Sequence, residues 1–255
     1  MVAISSTRRF VWMSATPTAW TVTAKNLSDH ADNAIHTDAG ARAHGFPSAL
    51  VAGVTTYAYL THPLVEAWGI DWLTRGGGEV RFKAPVAANA IVECTPSPTH
   101  DGALVEAICP AEEHNPRVTF AALRDAGPPP VMRAGDALPS RRFTLGTDFS
   151  ADYGERAGDD LAIYREHQIM HPVVWPAIAN RIMSTDLVTG SWIHTRSIIR
   201  HHAPAPIGAT VDVHATVIER YERSGSRAII DVLIELDGAP LASLEHEAII
   251  DLSTA

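Results

Sequence analysis

A chain of 255 residues, 46% hydrophobic and 19% charged, has enough apolar material to bury one large core or two smaller ones. Its formal charge of −9, from 20 Lys+Arg against 29 Asp+Glu, argues against a nucleic-acid partner, which needs a basic face. No run approaches the ~18 apolar residues of a membrane span, and "MVAISSTRRFVW" lacks the apolar core and cleavage site of a secretory signal, so a cytoplasmic protein without a membrane partner is expected.

In chain order, "RRFVWMS" (8–14) and "AWTVTAK" (19–25) read as two short strands joined by a turn at Thr16, Pro17 and Thr18. The next stretch, "LSDHADNAIHTDAGARAHGF" from Leu27 to Phe46, is too rich in Asp, Asn, Gly and Ala for a strand. Leu50 to Trp68 is apolar on nearly every side, the pattern of a helix buried all round, with Pro63 expected to kink or split it. After a "TRGGGE" turn, "VRFKAPV", "AIVECTPS", "ALVEAIC" and "RVTFAALR" read as strands. Cys94 and Cys109 lie in two of them without a CxxC spacing and read as reduced buried thiols.

The prolines and glycines of "RDAGPPPVMRAGDALPS", Arg124 to Ser140, cannot continue a helix or a central strand and mark a linker. Beyond it the order recurs: a helix in "HPVVWPAIANRIMSTDLV", then "WIHTRSIIRHH", "TVDVHATVIERYE", "RAIIDVLIEL" and "ASLEHEAIIDL" as long strands. Val211, Val213, Ala215 and Val217 alternate with polar neighbours, as in a half-solvated antiparallel sheet. "RFKAPVAANAIV" from Arg81 and "RHHAPAPIGATV" from Arg200 share RxxAPxxxxAxV, 119 residues apart, which implies two copies of one unit. The expected organisation is a first domain over 1–125, a linker over 126–145 and a second domain over 146–255, each an antiparallel meander with one long apolar helix, an α+β arrangement.

Chemistry-bearing residues concentrate between Leu27 and Phe46. His36 titrates near neutral pH and suits acid–base work, or is a solvated loop histidine. Asp32 and Asp38 flank it; Asp38, two residues on, can share its side of an extended segment and is the preferred partner. Asn33 serves either the loop backbone or a substrate. Gly53 stands at the start of the buried helix, where free N–H groups favour negative charge and a missing side chain admits a ligand, or it permits helix packing. Thr55 and Thr56, in the first turn, line that place or bond to preceding carbonyls. The other histidines are scattered over different strands, with adjacent His201 and His202 on opposite faces, so no metal site is expected. No GxSxG, Walker A or dinucleotide fingerprint is present, and no cofactor is expected.

"ADNAIHTDAGARAHGFPSALVAGVTTYAYL" resembles the active-site signature of the MaoC-like, or type 2 enoyl-CoA hydratase, family: DxNPxHxD, a GF turn, then a Gly-containing helix start. Asn33, Ile35, His36, Asp38, Gly45, Phe46 and Gly53 fall on that pattern, while Ala31 and Ala34 stand where the family has aspartate and proline. "ADYGERAGDDLAIY" resembles a decayed second copy, with Asp159, Leu161 and Tyr164 at the aspartate, asparagine and histidine positions. The resemblance implies a double hot dog fold, two sheets each wrapping a long apolar helix, with an apolar tunnel between the halves and a mainly structural second half. Its implied activity is a lyase of fatty acid or polyketide metabolism that hydrates or dehydrates an acyl-CoA or carrier-bound acyl chain. His36 would be the acid or base, Asp38 its orienting partner, Gly53 N–H the carbonyl-polarising donor, and Asn33, Thr55 and Asp32 substrate contacts. Association into a homodimer is also implied. Thioester hydrolysis and non-catalytic acyl binding are the competing readings, the latter because neither copy holds a complete dyad.

Overall fold

Alternating burial sets the strands, and one join between them sets the architecture. The computed structural model describes residues 15–30, 32–111, 113–188 and 190–251. Its strands are β1 (Trp20–Thr23), β2 (Gly77–Phe82), β3 (Ile91–Pro98), β4 (Gly102–Cys109), β5 (Glu113–Leu123), β6 (Asp136–Ala137), β7 (Arg141–Thr144), β8 (Ile193–His201), β9 (Thr210–Glu222), β10 (Ser226–Leu236) and β11 (Ala239–Asp251). The helices are α1 (Asp38–Ala43), α2 (Gly53–Arg75), α3 (Ala151–Ala157), α4 (Ile163–Glu166) and α5 (Val174–Asp186). In β9, Val211, Val213, Ala215 and Val217 are buried and their neighbours are not, as the period-2 pattern requires.

The strands form one antiparallel sheet in the order β1-β3-β4-β5-β2-β8-β11-β10-β9-β6, with β7 also paired to β9. The two sheets expected for the two halves are continuous here, because β2 and β8 pair from Gly77↔Arg200 to Arg81↔Arg196 and join the halves edge to edge. Such a join satisfies two strand edges that would otherwise stay open. The order on either side of the join is a mirror image, and the repeat is visible in detail. The isolated bridges Leu50↔Ala87 and Ile169↔Pro206 lie 119 residues apart, as do the positive φ angles of Asn89 (66°) and Gly208 (84°).

Helix α2 packs against β1 to β5 and reaches β8, while α5 packs on β8 and β11. Every residue of α2 from Val54 to Val65 is buried, which accounts for its lack of a polar stripe. Helical geometry continues through Pro63, and the break falls at Gly69 (φ 56°, ψ −144°), where no Cβ opposes a left-handed φ. A single cluster of buried side chains runs from Val22 through Leu60 and Phe120 to Ile182, Ile199 and Ile230, so the two halves share one core. Cys94 and Cys109 are buried and form no disulfide. The strand expected over 8–14 lies outside the described residues. Between Arg124 and Ser140 the chain is irregular apart from β6, and Arg133 pins it to Asp231 and Glu245.

Candidate active site between the two halves

A cavity of ≈ 750 Å³ lies between the halves, with Phe46, Val51, Phe82 and Val118 on one side and Phe143, Met170, Val174 and Trp192 on the other. His36 enters it from a short 3₁₀ turn, Ala34–His36, anchored by buried Ile35. This turn is tied to Leu50 in both directions: Leu50 N–H donates to the Ile35 carbonyl (3.1 Å), and His36 Nδ1–H donates to the Leu50 carbonyl (2.8 Å). With Nδ1 spent on a carbonyl, Nε2 holds the lone pair that can take a proton. Burial lowers the pKa of His36, against a smaller rise from the Leu50 bond, so the imidazole is neutral at pH 7.

Asp38 does not orient His36. Its Oδ1 accepts from Ala49 N–H (2.9 Å), its other oxygen faces Arg42 (3.5 Å), and its side chain is 61% exposed. The segment turns at His36 and enters α1 at Asp38, so the extended geometry that would have put the two side chains together is absent. Asp32 is exposed on the cavity rim, and Ala31 lies outside the described residues. Asn33 lines the cavity but donates through Nδ2 to the Trp192 carbonyl (2.8 Å), tying the turn to the second half, and its Oδ1 is buried without a partner. Thr55 is fully buried behind the wall and bonds Tyr153 Oη (2.7 Å), whereas its neighbour Thr56 lines the cavity.

His30 is a second imidazole on the wall, 6.1 Å from His36 between ring centroids and 3.3 Å from Tyr153 Oη through Nε2. Burial first, and the neighbouring His36 second, depress its pKa to about 4. At the head of α2, Ala52 supplies no side-chain cap, and Gly53 and Val54 both line the cavity. The first turn of α2, whose N–H groups have no intrahelical acceptors and which carries the positive end of the helix, therefore lines the cavity. A Cβ on Gly53 would stand 3.3 Å from Phe82 Cε1 and 3.4 Å from His194 Nδ1, so glycine keeps this slot open.

His194 belongs to the second half, which supplies half of the wall rather than support alone. It stacks on His246 with ring centroids 4.2 Å apart, and Ser197 Oγ links His194 Nε2 to His246 Nδ1 at 2.8 Å on each side. In the sequence these two histidines stand apart because they fall on different strands, but β8 and β11 are paired neighbours. A register shift between Glu247 and Ala248, opposite Thr195, brings both His194 and Ser197 to the buried face. Burial pushes the pKa of His194 down to about 3.

The segment around Asp159 forms a buried polar cluster with His62 and His171. Asp159 accepts from His62 Nδ1–H (3.0 Å), His171 Nε2–H (3.1 Å) and Leu161 N–H (3.0 Å), and all three ionisable side chains are at most 3% exposed. Tyr164, nearby, is fully buried. His62, Asp159 and Asp160 are close enough to share an ion, but His62 Nδ1 and Asp159 Oδ1 already bond each other.

No protein-family model matches the chain, and no curated protein does. Among solved structures it is similar to a MaoC-like dehydratase (13% identity, 92% of this chain and 98% of that one, TM-score 0.56). It is also similar to the dehydratase domain of PpsC from Mycobacterium tuberculosis in complex with C12:1-CoA (12% identity, 91% and 93%, TM-score 0.54). A third likeness is to a protein described as an oleoyl thioesterase from Lactobacillus plantarum (10% identity, 93% and 98%, TM-score 0.55). These matches define the class of fold: a mixed α and β chain built on a large antiparallel sheet, of the hot dog type. Within that class its structural neighbours are MaoC-like dehydratases and other hot dog proteins.

Proposed function

We propose that the protein is an acyl-thioester hydratase or dehydratase, acting on enoyl or 3-hydroxyacyl chains carried by CoA or a carrier protein, with 1–125 and 146–255 as two hot dog units joined by 126–145. The observation that carries this reading is one apolar cavity presenting both a neutral imidazole with a free Nε2 and an uncapped helix start. In hydration, His36 Nε2 takes a proton from water as the oxygen bonds to C3, and the thioester oxygen gathers enolate charge against the Gly53 N–H. The proton then passes from His36 to C2, and the enolate collapses to the 3-hydroxyacyl thioester. His30, across from His36, holds the water. General acid–base catalysis contributes about 10²- to 10⁴-fold, so His36→Ala should cut hydration of crotonyl-CoA by at least about 100-fold, read as loss of enoyl-thioester absorbance. Unchanged turnover would remove His36 from the mechanism.

Thioester hydrolysis is the second reading, favoured by the exposed Asp32 carboxylate on the cavity rim and by the thioesterase among the similar structures. There Asp32 would activate water against the carbonyl carbon. Release of free CoA from acyl-CoA, followed with a thiol reagent, separates the two.

A further inference from the structure

We propose that His194 Nδ1–H is a second donor to the thioester oxygen, acting with the Gly53 N–H, so that the oxyanion site is completed by the second half of the chain. The inference rests on the thioester reading above and deepens it.

Three observations converge on His194. Its side chain lines the cavity, yet the residue is only 6% exposed and Nδ1 is buried without any hydrogen-bond partner. Buried polar atoms are rarely left unpaired, and an orphan beside a ligand-sized space points to a ligand atom. Second, Nδ1 faces the uncapped head of α2: a Cβ on Gly53 would lie 3.4 Å from it and 3.3 Å from Phe82 Cε1. A group entering that slot would stand at the helix start and beside an imidazole nitrogen together. Third, the ring is held from behind by the Ser197 and His246 chain and flanked by Phe82, 4.4 Å between centroids.

That chain admits two proton arrangements, of which the one proposed puts a proton on His194 Nδ1. Ser197 has one hydroxyl proton and sits between two imidazole nitrogens, so it donates to one and accepts from the other. When His246 Nδ1–H donates to Ser197 Oγ and Ser197 O–H donates to His194 Nε2, the proton of neutral His194 stands on Nδ1, facing Gly53. A neutral N–H stabilises a developing enolate without giving up its proton, and the low pKa of His194 keeps the ring in that form. No bond to His194 forms or breaks, and the C2 proton still travels through His36.

The test uses the full chain and a thioester that cannot react, butyryl-CoA with a ¹³C-labelled carbonyl. Difference infrared spectroscopy should show the carbonyl stretch moving to lower wavenumber on binding, by much less in His194→Leu and by an intermediate amount in His194→Asn, whose amide N–H occupies the place of Nδ1. With crotonyl-CoA, His194→Leu should lower kcat by about 100-fold, the usual effect of losing one such donor, and leave KM within about twofold. The thermal unfolding of each variant checks folding, and recovery in His194→Asn separates a lost donor from a lost shape. An equal carbonyl shift in wild type and folded His194→Leu, or no shift in wild type, overturns the proposal even if hydration is robust. A His194-dependent shift without hydration would overturn the proposed reaction and leave the carbonyl site standing.

Discussion

Gly53 and His36 show how a single atom decides the chemistry of this cavity. Replacing Gly53 with alanine puts a methyl group 3.3 to 3.5 Å from Phe82 and His194, a fit that needs shifts of only a few tenths of an ångström. Alanine also favours the helix by up to about 1 kcal/mol over glycine, so Gly53→Ala should unfold within a few degrees of wild type. The same methyl fills the slot beside the helix N–H groups, so crotonyl-CoA turnover should fall by about 10-fold or more; full activity would place the carbonyl elsewhere. If His36 is the base of the proposed reaction, it sets the pH response. A base works unprotonated, and burial lowers its pKa below the ordinary 6.5, so kcat/KM should stay level from pH 7 downward and fall only below 6.5. An acid limb at or above 6.5 would assign the base to another group. The residue types around His36 made the place of this site legible in the sequence, but not its wiring. Leu50 orients His36 through a main-chain carbonyl, which any residue provides, and His194 arrives through a strand irregularity that no spacing announces.

Among the elements, α2 was the easiest to read and its environment the hardest. An apolar run from Leu50 marks a buried helix, but nothing in it says that His62 will meet a carboxylate 97 residues away. Asp159 binds α2 through His62 and the entry to α5 through His171, with Trp20 stacked on His62 at 3.8 Å. Burial alone would raise the Asp159 pKa, but the bonds from His171 and His62 outweigh it and hold the carboxyl below its ordinary 3.8. Removing one member of a buried charged cluster costs about 3–5 kcal/mol, so Asp159→Asn should lower the melting temperature by roughly 10 °C at neutral pH. A depressed carboxylate pKa contributes stability that is complete above the unfolded value and is lost as pH falls through the folded one. The stability gap between wild type and Asp159→Asn in urea should therefore be flat well above pH 3.8 and narrow progressively as pH falls through and below it. A gap that widens toward acid would mean the cluster is held by its histidines and not by Asp159. Asp159 thus holds two helical segments together through its histidine partners.

At the scale of the whole molecule, the repeat was legible as RxxAPxxxxAxV at a fixed offset, whereas the strands and register of the seam were not. Two halves with the same strand order close either as separate sheets or as one, and the choice lies in what the two edges can accept. Here β2 begins with glycines whose lost side chains let it fit between β5 and β8: a Cβ on Gly78 would stand 2.2 Å from the Ala121 carbonyl oxygen, at φ +144°. Arg196 ties the seam on its polar face by bonding Glu79 of β2 and Glu245 of β11. With the sheet continuous, the core shared and the cavity walled by both halves, neither half has an independent transition to undergo. Wild-type protein should unfold in one calorimetric transition, with calorimetric and van't Hoff enthalpies equal. Gly78→Ala must displace backbone on one side of β2 and adopt a φ that alanine resists, at a cost of about 2 kcal/mol or more. That should move the single transition down by roughly 4 to 8 °C without splitting it, and should weaken acyl-thioester turnover, because the second half's His194 would no longer be held against the first half's Gly53. Two resolved transitions in either protein would show that the seam joins two units that fold separately, and the shared cavity would then be a consequence of docking and not of one cooperative fold.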